Sequence, residues 1–331
     1  MKKRTLRLLP CALLAMVAAL TPWTSSANDA AASLGAGGLE LRTERRVTMA
    51  RERLYIGARK GQPRTDIGIL GLLVRVEYEF VNDTTEDVST EVAFPIAPLP
   101  FPNGSLWPTS RFESFRVWVD GREIAPKKSV RAFRDGRDVT AILGSAGVPV
   151  ESYGGFDEEK GADVFHRLPR ERSDLLVREK LVSDDLDWPL WDVAVTYHWL
   201  QKFPAGKTVK VRHEYHPSFG AELVHPSEVA VGRADGCFDG KSAASASQRK
   251  PRQEGQEEKI IPLMWVDYIL TTANTWKTPI RDFELVVERP ADTRVSFCWD
   301  GEVERVEKTQ FRARVKDFVP KRELRVYFYK Q

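Results

Sequence analysis

No apolar run beyond residue 20 is long enough to cross a membrane as a helix, only three cysteines and five histidines occur in 331 residues, and neither sign of charge dominates. Each shortage excludes something. The body of the chain has no helical membrane span in prospect. A Gly-x-Ser-x-Gly nucleophile elbow is missing, so serine hydrolysis of that kind lacks its motif. Gly35-Ala-Gly37-Gly38 follows no strand pattern and opens no helix, which removes the phosphate-cradling reading. His213-Glu214-Tyr215-His216 spaces its histidines three apart on a strand-like stretch, whereas the zinc-protease motif needs four on a helix. No metal and no cofactor are expected.

What is present starts at the first residue. Lys2, Lys3, Arg4 and Arg7 precede an apolar stretch from Leu8 to Leu20, and Ser25-Ser26-Ala27 supplies small residues. That is the layout of a secretory signal peptide over 1–27, with cleavage expected after Ala27. The twin-arginine motif is absent, so general secretion is the expected route, to the periplasm or beyond. Pro10 precedes Cys11 where a lipoprotein signal needs a small residue, so Cys11 is not read as a lipid anchor. Removing the segment resets the composition. The 50 Lys and Arg against 47 Asp and Glu become 46 against 47 once its four basic residues are gone, which ends the case for nucleic acid or anionic lipid as partner. Cys237 and Cys298 are left as an even pair, which in an exported chain reads as a disulfide.

Residues 28–38 are small and polar and read as a flexible N-terminus. From 39 to 134 the pattern is that of an antiparallel β domain. Val74, Val76, Tyr78 and Phe80 alternate with charged neighbours at period two. A strand from Val88 to Phe94 is expected to stop at Pro95, and the proline-rich 95–108 to form a loop. Asp120-Gly121 signals a tight hairpin. Residues 135–190 are charged, with short helical turns near Asp138–Gly144 and Asp174–Leu181, and read as a connector. Strand patterns return over 191–331, broken by a serine- and charge-rich stretch, 240–259, expected to be a disordered loop. Asp300-Gly301 signals a second hairpin, and Leu324–Tyr329 is apolar enough for an internal strand. The fold class expected is mainly β: two antiparallel β-sandwich-like domains with a short helical connector.

Chemistry offers few candidates. His213 shares its strand face with Val209, Val211 and Tyr215. It is read either as a structural histidine or, with a carboxylate and His198 from the preceding strand, as the base of a hydrolase acting on envelope polymer in an inter-domain cleft. Trp107, on the proline-stiffened loop, and Trp188 and Trp191, flanking the connector, are candidate contact residues for a protein or glycan partner, since rigid aromatics bind at low ordering cost. The alternative for Trp107 is folding back onto its own domain, and for Trp188 and Trp191 it is packing between the two domains.

Several segments together resemble a bacterial family known as domain of unknown function 4424: Asn28-Asp29, Gly37-Gly38-Leu39-Glu-Leu41, Val74-x-Val-x-Tyr-x-Phe80-x-Asn82, Val92-Ala-Phe-Pro95, Tyr197-x-Trp199-x-Gln201-x-Phe203-Pro-Ala-Gly206, His213-x-Tyr215-x-Pro217, Tyr268-Ile-Leu-Thr271 and Ser296-Phe-Cys298. The resemblance implies an exported, β-rich protein and supports the Cys237–Cys298 pairing; it brings no activity and no catalytic residues. The Val-Ala-Phe-Pro strand followed by the Asp120-Gly121 hairpin is also similar in pattern to the vault/inter-alpha-trypsin-inhibitor domain. The function expected is that of a non-enzymatic envelope binding protein.

Overall fold

A computed structural model describes residues 29–35, 38–58, 71–99, 114–150, 163–186, 189–217, 219–224, 237, 260–291 and 293–330. The 1–27 segment, Trp107, Trp188 and the 240–259 stretch lie outside them. The protein is mainly β. A six-stranded sheet runs, in spatial order, β2 (Gly38–Leu41), β1 (Ala30–Gly35), β5 (Val88–Leu99), β10 (Asp192–Phe203), β8 (Lys127–Arg134) and β9 (Arg137–Asp138). An eight-stranded sheet runs β16 (Glu304–Arg305), β17 (Gln310–Phe318), β14 (Ile280–Glu288), β3 (Val47–Ala58), β4 (Leu72–Asn82), β11 (Thr208–Tyr215), β6 (Arg116–Val119) and β7 (Arg122–Ile124). A third sheet has β12 (Gly220–Val224), β13 (Ile261–Tyr268), β18 (Leu324–Lys330) and β15 (Thr293–Phe297). Helices α1 (Thr140–Ala146), α2 (Asp163–His166) and α3 (Arg170–Arg178) fall where the connector was expected.

The period-two segments fold as their pattern demands. In β4 every second side chain is buried, from Leu72 through Val74, Val76, Tyr78 and Phe80 to Asn82. Asp120 and Gly121 both take positive φ, 48° and 82°, and join β6 to β7 as a two-residue turn. Gly147, at φ 72°, ends α1 in the left-handed conformation. Strand β18 lies between β13 and β15, so the C-terminal strand is internal.

Pairing crosses the boundaries drawn at 134 and 191. Strand β4 pairs with β11, β5 with β10, and β3 runs parallel to β14, Leu54 opposite Leu285. The segments 39–134 and 191–331 therefore meet strand against strand, and one apolar core draws on both.

Three expectations need correction. The described part of 28–38 is not a flexible lead-in: Ala30–Gly35 and Gly38–Leu41 are strands β1 and β2. Ala30–Ala32 form a strand against Glu91–Ala93 of β5 and are 0%, 1% and 5% exposed. Alanine favours this because its methyl lets the backbone approach the core closely, and the ladder supplies the hydrogen bonds that low apolar content cannot replace. The strand from Val88 does not stop at Pro95 but continues to Leu99, pairing Pro95 with Thr196. Strand β1 covers it only as far as Ala93, so beyond that residue it is a sheet edge, where a missing N–H is tolerated. Asp300-Gly301 is no hairpin: β15 ends in the third sheet and β16 belongs to the eight-stranded one. Between them Trp299 turns inward and stacks on Phe283, ring centroids 5.6 Å apart, and packs against Phe318. That burial outweighs local turn preference.

Candidate functional site

The interior between the six- and eight-stranded sheets holds a polar cluster. Glu52 and Tyr78 sit opposite each other on β3 and β4, and His213 on β11 is opposite Val76, so strand alternation turns all three to one face. Asp29, immediately before β1, arrives from the six-stranded side. Tyr268 comes from the end of β13. Asp29, Glu52, His213 and Tyr268 are fully buried, and Tyr78 nearly so.

A hydrogen-bond chain links them. The Asp29 amide N–H donates to Tyr78 Oη at 3.4 Å, the Tyr78 and Tyr268 hydroxyls meet at 3.1 Å, and Tyr268 O–H donates to Glu52 Oε1 at 3.3 Å. With Tyr268 donating to Glu52, Tyr78 must donate to Tyr268, so the donors all run towards Glu52. On the other side of Asp29, Oδ1 stands 3.4 Å from His213 Nε2. The alignment does not make a hydrogen bond, and among the described residues neither carboxylate oxygen nor either ring nitrogen has one.

Rings seal the histidine. Phe94, Phe115, Tyr78 and Trp199 surround it with centroids 4.7, 5.2, 5.3 and 5.4 Å away. Burial disfavours both charged forms here. It pushes His213 down to about 3, and it pushes the Asp29 carboxyl well up, with the negative charge of Glu52 adding to the effect. The contact, as these residues alone set it, is one between a neutral imidazole and a carboxylic acid.

The sign of the resulting pH dependence follows. His213 is neutral in the folded state down to about pH 3, but takes a proton near pH 6.5 once unfolded. Below that pH the unfolded chain binds more protons, and stability falls. Urea titrations should find that the native chain loses about 2 kcal/mol more than His213→Gln between pH 7.5 and pH 5. Parallel losses in the two proteins would mean that His213 is accessible to protons in the fold.

The hydrolase arrangement does not form. It needs His213 in a solvent-connected pocket, and this ring is sealed. It also needs His198 nearby. Trp199 faces His213, so the preceding residue on β10 points to the opposite face. There His198 Nδ1 lies 2.6 Å from Glu91 Oε1 on β5, a separate, nearly buried pair. Trp191, expected at a contact surface, is 1% exposed and packs edge-on against Phe165; a large indole beside the connector helices gains more from burial than from display. Cys237 and Cys298 are joined. Among the described residues no group of three or more His, Cys, Asp or Glu side chains is placed to hold a metal ion, and no helix is long and apolar enough to cross a membrane.

Sequence reasoning missed Asp29, Glu52 and Tyr268. Glu52 carried a signal: it shares the strand phase of Leu54 and Ile56, the buried phase, between exposed Arg51 and Arg53. Asp29 carried none beyond its place beside the expected cleavage point and in the Asn28-Asp29 segment of the family resemblance.

Fold and site together define a mainly β protein with a closed, polar-centred core. It belongs to the family described as Domain of unknown function (DUF4424), whose model matches residues 27–327. None of the curated proteins matches the sequence. Among solved structures it is similar to a candidate nutrient binding protein from Legionella pneumophila, with 14% identity over 92% of this chain and 70% of that one and a TM-score of 0.44. It is also similar to an M1 zinc metallopeptidase from Deinococcus radiodurans, with 11% identity over 86% of this chain and 43% of that one and a TM-score of 0.32. At these scores neither carries a function to this chain.

Proposed function

We propose that this is an exported cell-envelope protein, released after Ala27, that binds a partner rather than transforming a substrate. The Cys237–Cys298 bond supports export, since it uses the two cysteines that remain once the leader and Cys11 are gone and such bonds persist in oxidising compartments. The observation that carries the binding half is the outer edge of the third sheet. Strand β12 ends that sheet. Leu223 on it is 55% exposed, and Ile260, two residues before its ladder partner Pro262, is 51% exposed. By register the two fall on one face. A strand that is outermost among the described residues and carries aliphatic side chains is a template for an added strand, which favours a protein partner over a glycan. Trp107 and Trp188 keep their place as candidate contacts for either.

The test is expression of the full chain with its leader, followed by fractionation, N-terminal sequencing and crosslinking in intact envelopes. The expected result is a periplasmic protein starting at Asn28 that crosslinks to one envelope protein. Leu223→Lys should cut that crosslink several-fold while leaving the melting temperature within a degree or so, as exposed substitutions do. Retention on isolated cell-wall polymer that Trp107→Ala abolishes and Leu223→Lys leaves intact would favour the glycan instead. Recovery of the chain in the cytoplasm with its first residues intact would overturn the proposal.

A further inference from the structure

The Asp29 carboxyl group is fully buried, among the described residues neither of its oxygens is hydrogen-bonded, and its titratable neighbours are a second buried acid, Glu52, and a histidine too sealed to ionise. Left alone it stays a carboxylic acid; to ionise there it needs a cation beside it. No described lysine or arginine contacts it. The backbone of the same residue is also held inside: its N–H points to Tyr78 Oη, and its carbonyl accepts the Trp276 indole N–H at 2.7 Å. The backbone at Asp29 therefore lies inside the fold.

We propose that the cluster is a binding site for an α-ammonium group, and that cleavage after Ala27 creates its ligand: the new amino group of Asn28, one peptide unit from Asp29, pairs with the buried Asp29 carboxylate. This rests on the cleavage proposed above. Asn28 lies outside the described residues, and the inference stands on the acceptor, not on a placement of the donor. Hydrolysis of the Ala27–Asn28 peptide bond gives the leader a carboxylate and the mature chain an amine, protonated at neutral pH because a free α-amine titrates near 8. Processing would thus do more than release the protein. It would complete the core, so that the mature chain is more tightly closed than the precursor.

Four proteins test this: chains starting at Asn28 and at Ser25, each with Asp29 and with Asp29→Asn, released by a protease that leaves no extra residue. The Asn28 start should melt at least about 3 °C above the Ser25 start, and Asp29→Asn should remove more than half of that gap. Equal melting temperatures, or a gap that Asp29→Asn leaves intact, would overturn the site. A second readout does not depend on the variants folding. The α-amine of the native Asn28 chain should react several-fold more slowly with an amine-selective reagent at pH 7 than after unfolding in urea, and equal rates would count against the site. N-terminal sequencing of the exported protein separates the two ideas. A start other than Asn28 sinks the cleavage reading, while the melting pairs still decide whether the amine site exists.

Discussion

Replacing both Cys237 and Cys298 by serine should lower the unfolding free energy by about 4 kcal/mol, the entropy that closing a loop across a separation of 61 residues withholds from the unfolded chain. That is a large share of the roughly 5–15 kcal/mol that separates folded from unfolded domains. The effect should be local first. Cys298 follows β15, the edge strand opposite β12 in the third sheet, and Ser296 on that strand hydrogen-bonds the Cys237 carbonyl at 3.4 Å. Without the bond, amide exchange should rise in β15 and β18 before it rises in β4 or β11. Reduction of the native chain with dithiothreitol should reproduce the shift in urea midpoint. A reduced chain that unfolds at the native midpoint would mean the bond constrains nothing that the sheets do not already hold.

Trp276→Ala should cost about 3–5 kcal/mol, the range for truncating a large buried aromatic. The indole is 3% exposed. It packs on Phe80 and Phe203 with centroids 4.7 and 5.9 Å away, and its N–H holds the Asp29 carbonyl. Trp276→Phe should keep most of the packing and lose about 1 kcal/mol for the hydrogen bond. The two variants should differ in a second way. Both variants lose the donor to the Asp29 carbonyl, but alanine also removes the ring packing at the entry to β1, so limited proteolysis should cut near Ala30–Gly35 in the alanine variant, while phenylalanine, which keeps the packing, should leave that strand protected. Equal protection in both would place the anchor of β1 in its ladder with β5 alone.

Much of the architecture could be read from period-two patterning, because a strand with one buried face writes that face into every second residue. Strands β4, β10, β11 and β14 were legible for this reason, and Asp120-Gly121 because positive φ at two successive residues restricts the choice of side chain. What could not be read depended on partners distant in sequence. The Ala30–Ala32 strand has no apolar signature, since its place comes from pairing with β5 and from the Ala31 N–H that donates to Thr275 Oγ1 at 3.2 Å. The parallel contact of β3 with β14 leaves no mark on either strand. Trp191 looks in sequence like any exposed tryptophan, and only the packing it meets, Phe165 included, decides its place. In the site, His213 was visible as a polar residue on a buried phase. Its sealing was not, because Phe94, Phe115 and Trp199 come from three separate segments.

The parallel pairing of β3 with β14 also sets a clock. Residues 51–57 wait for residues 282–288 before the middle of the eight-stranded sheet can close. At synthesis rates of about 5–20 residues per second, that interval is on the order of ten seconds or more. Non-local pairings of this kind form slowly because the loop entropy must be spent before any contact returns it. Until then β3 presents an open edge to other chains, so folding during synthesis invites aggregation unless something holds the chain. The same delay holds back closure of the eight-stranded sheet until nearly all of the chain exists.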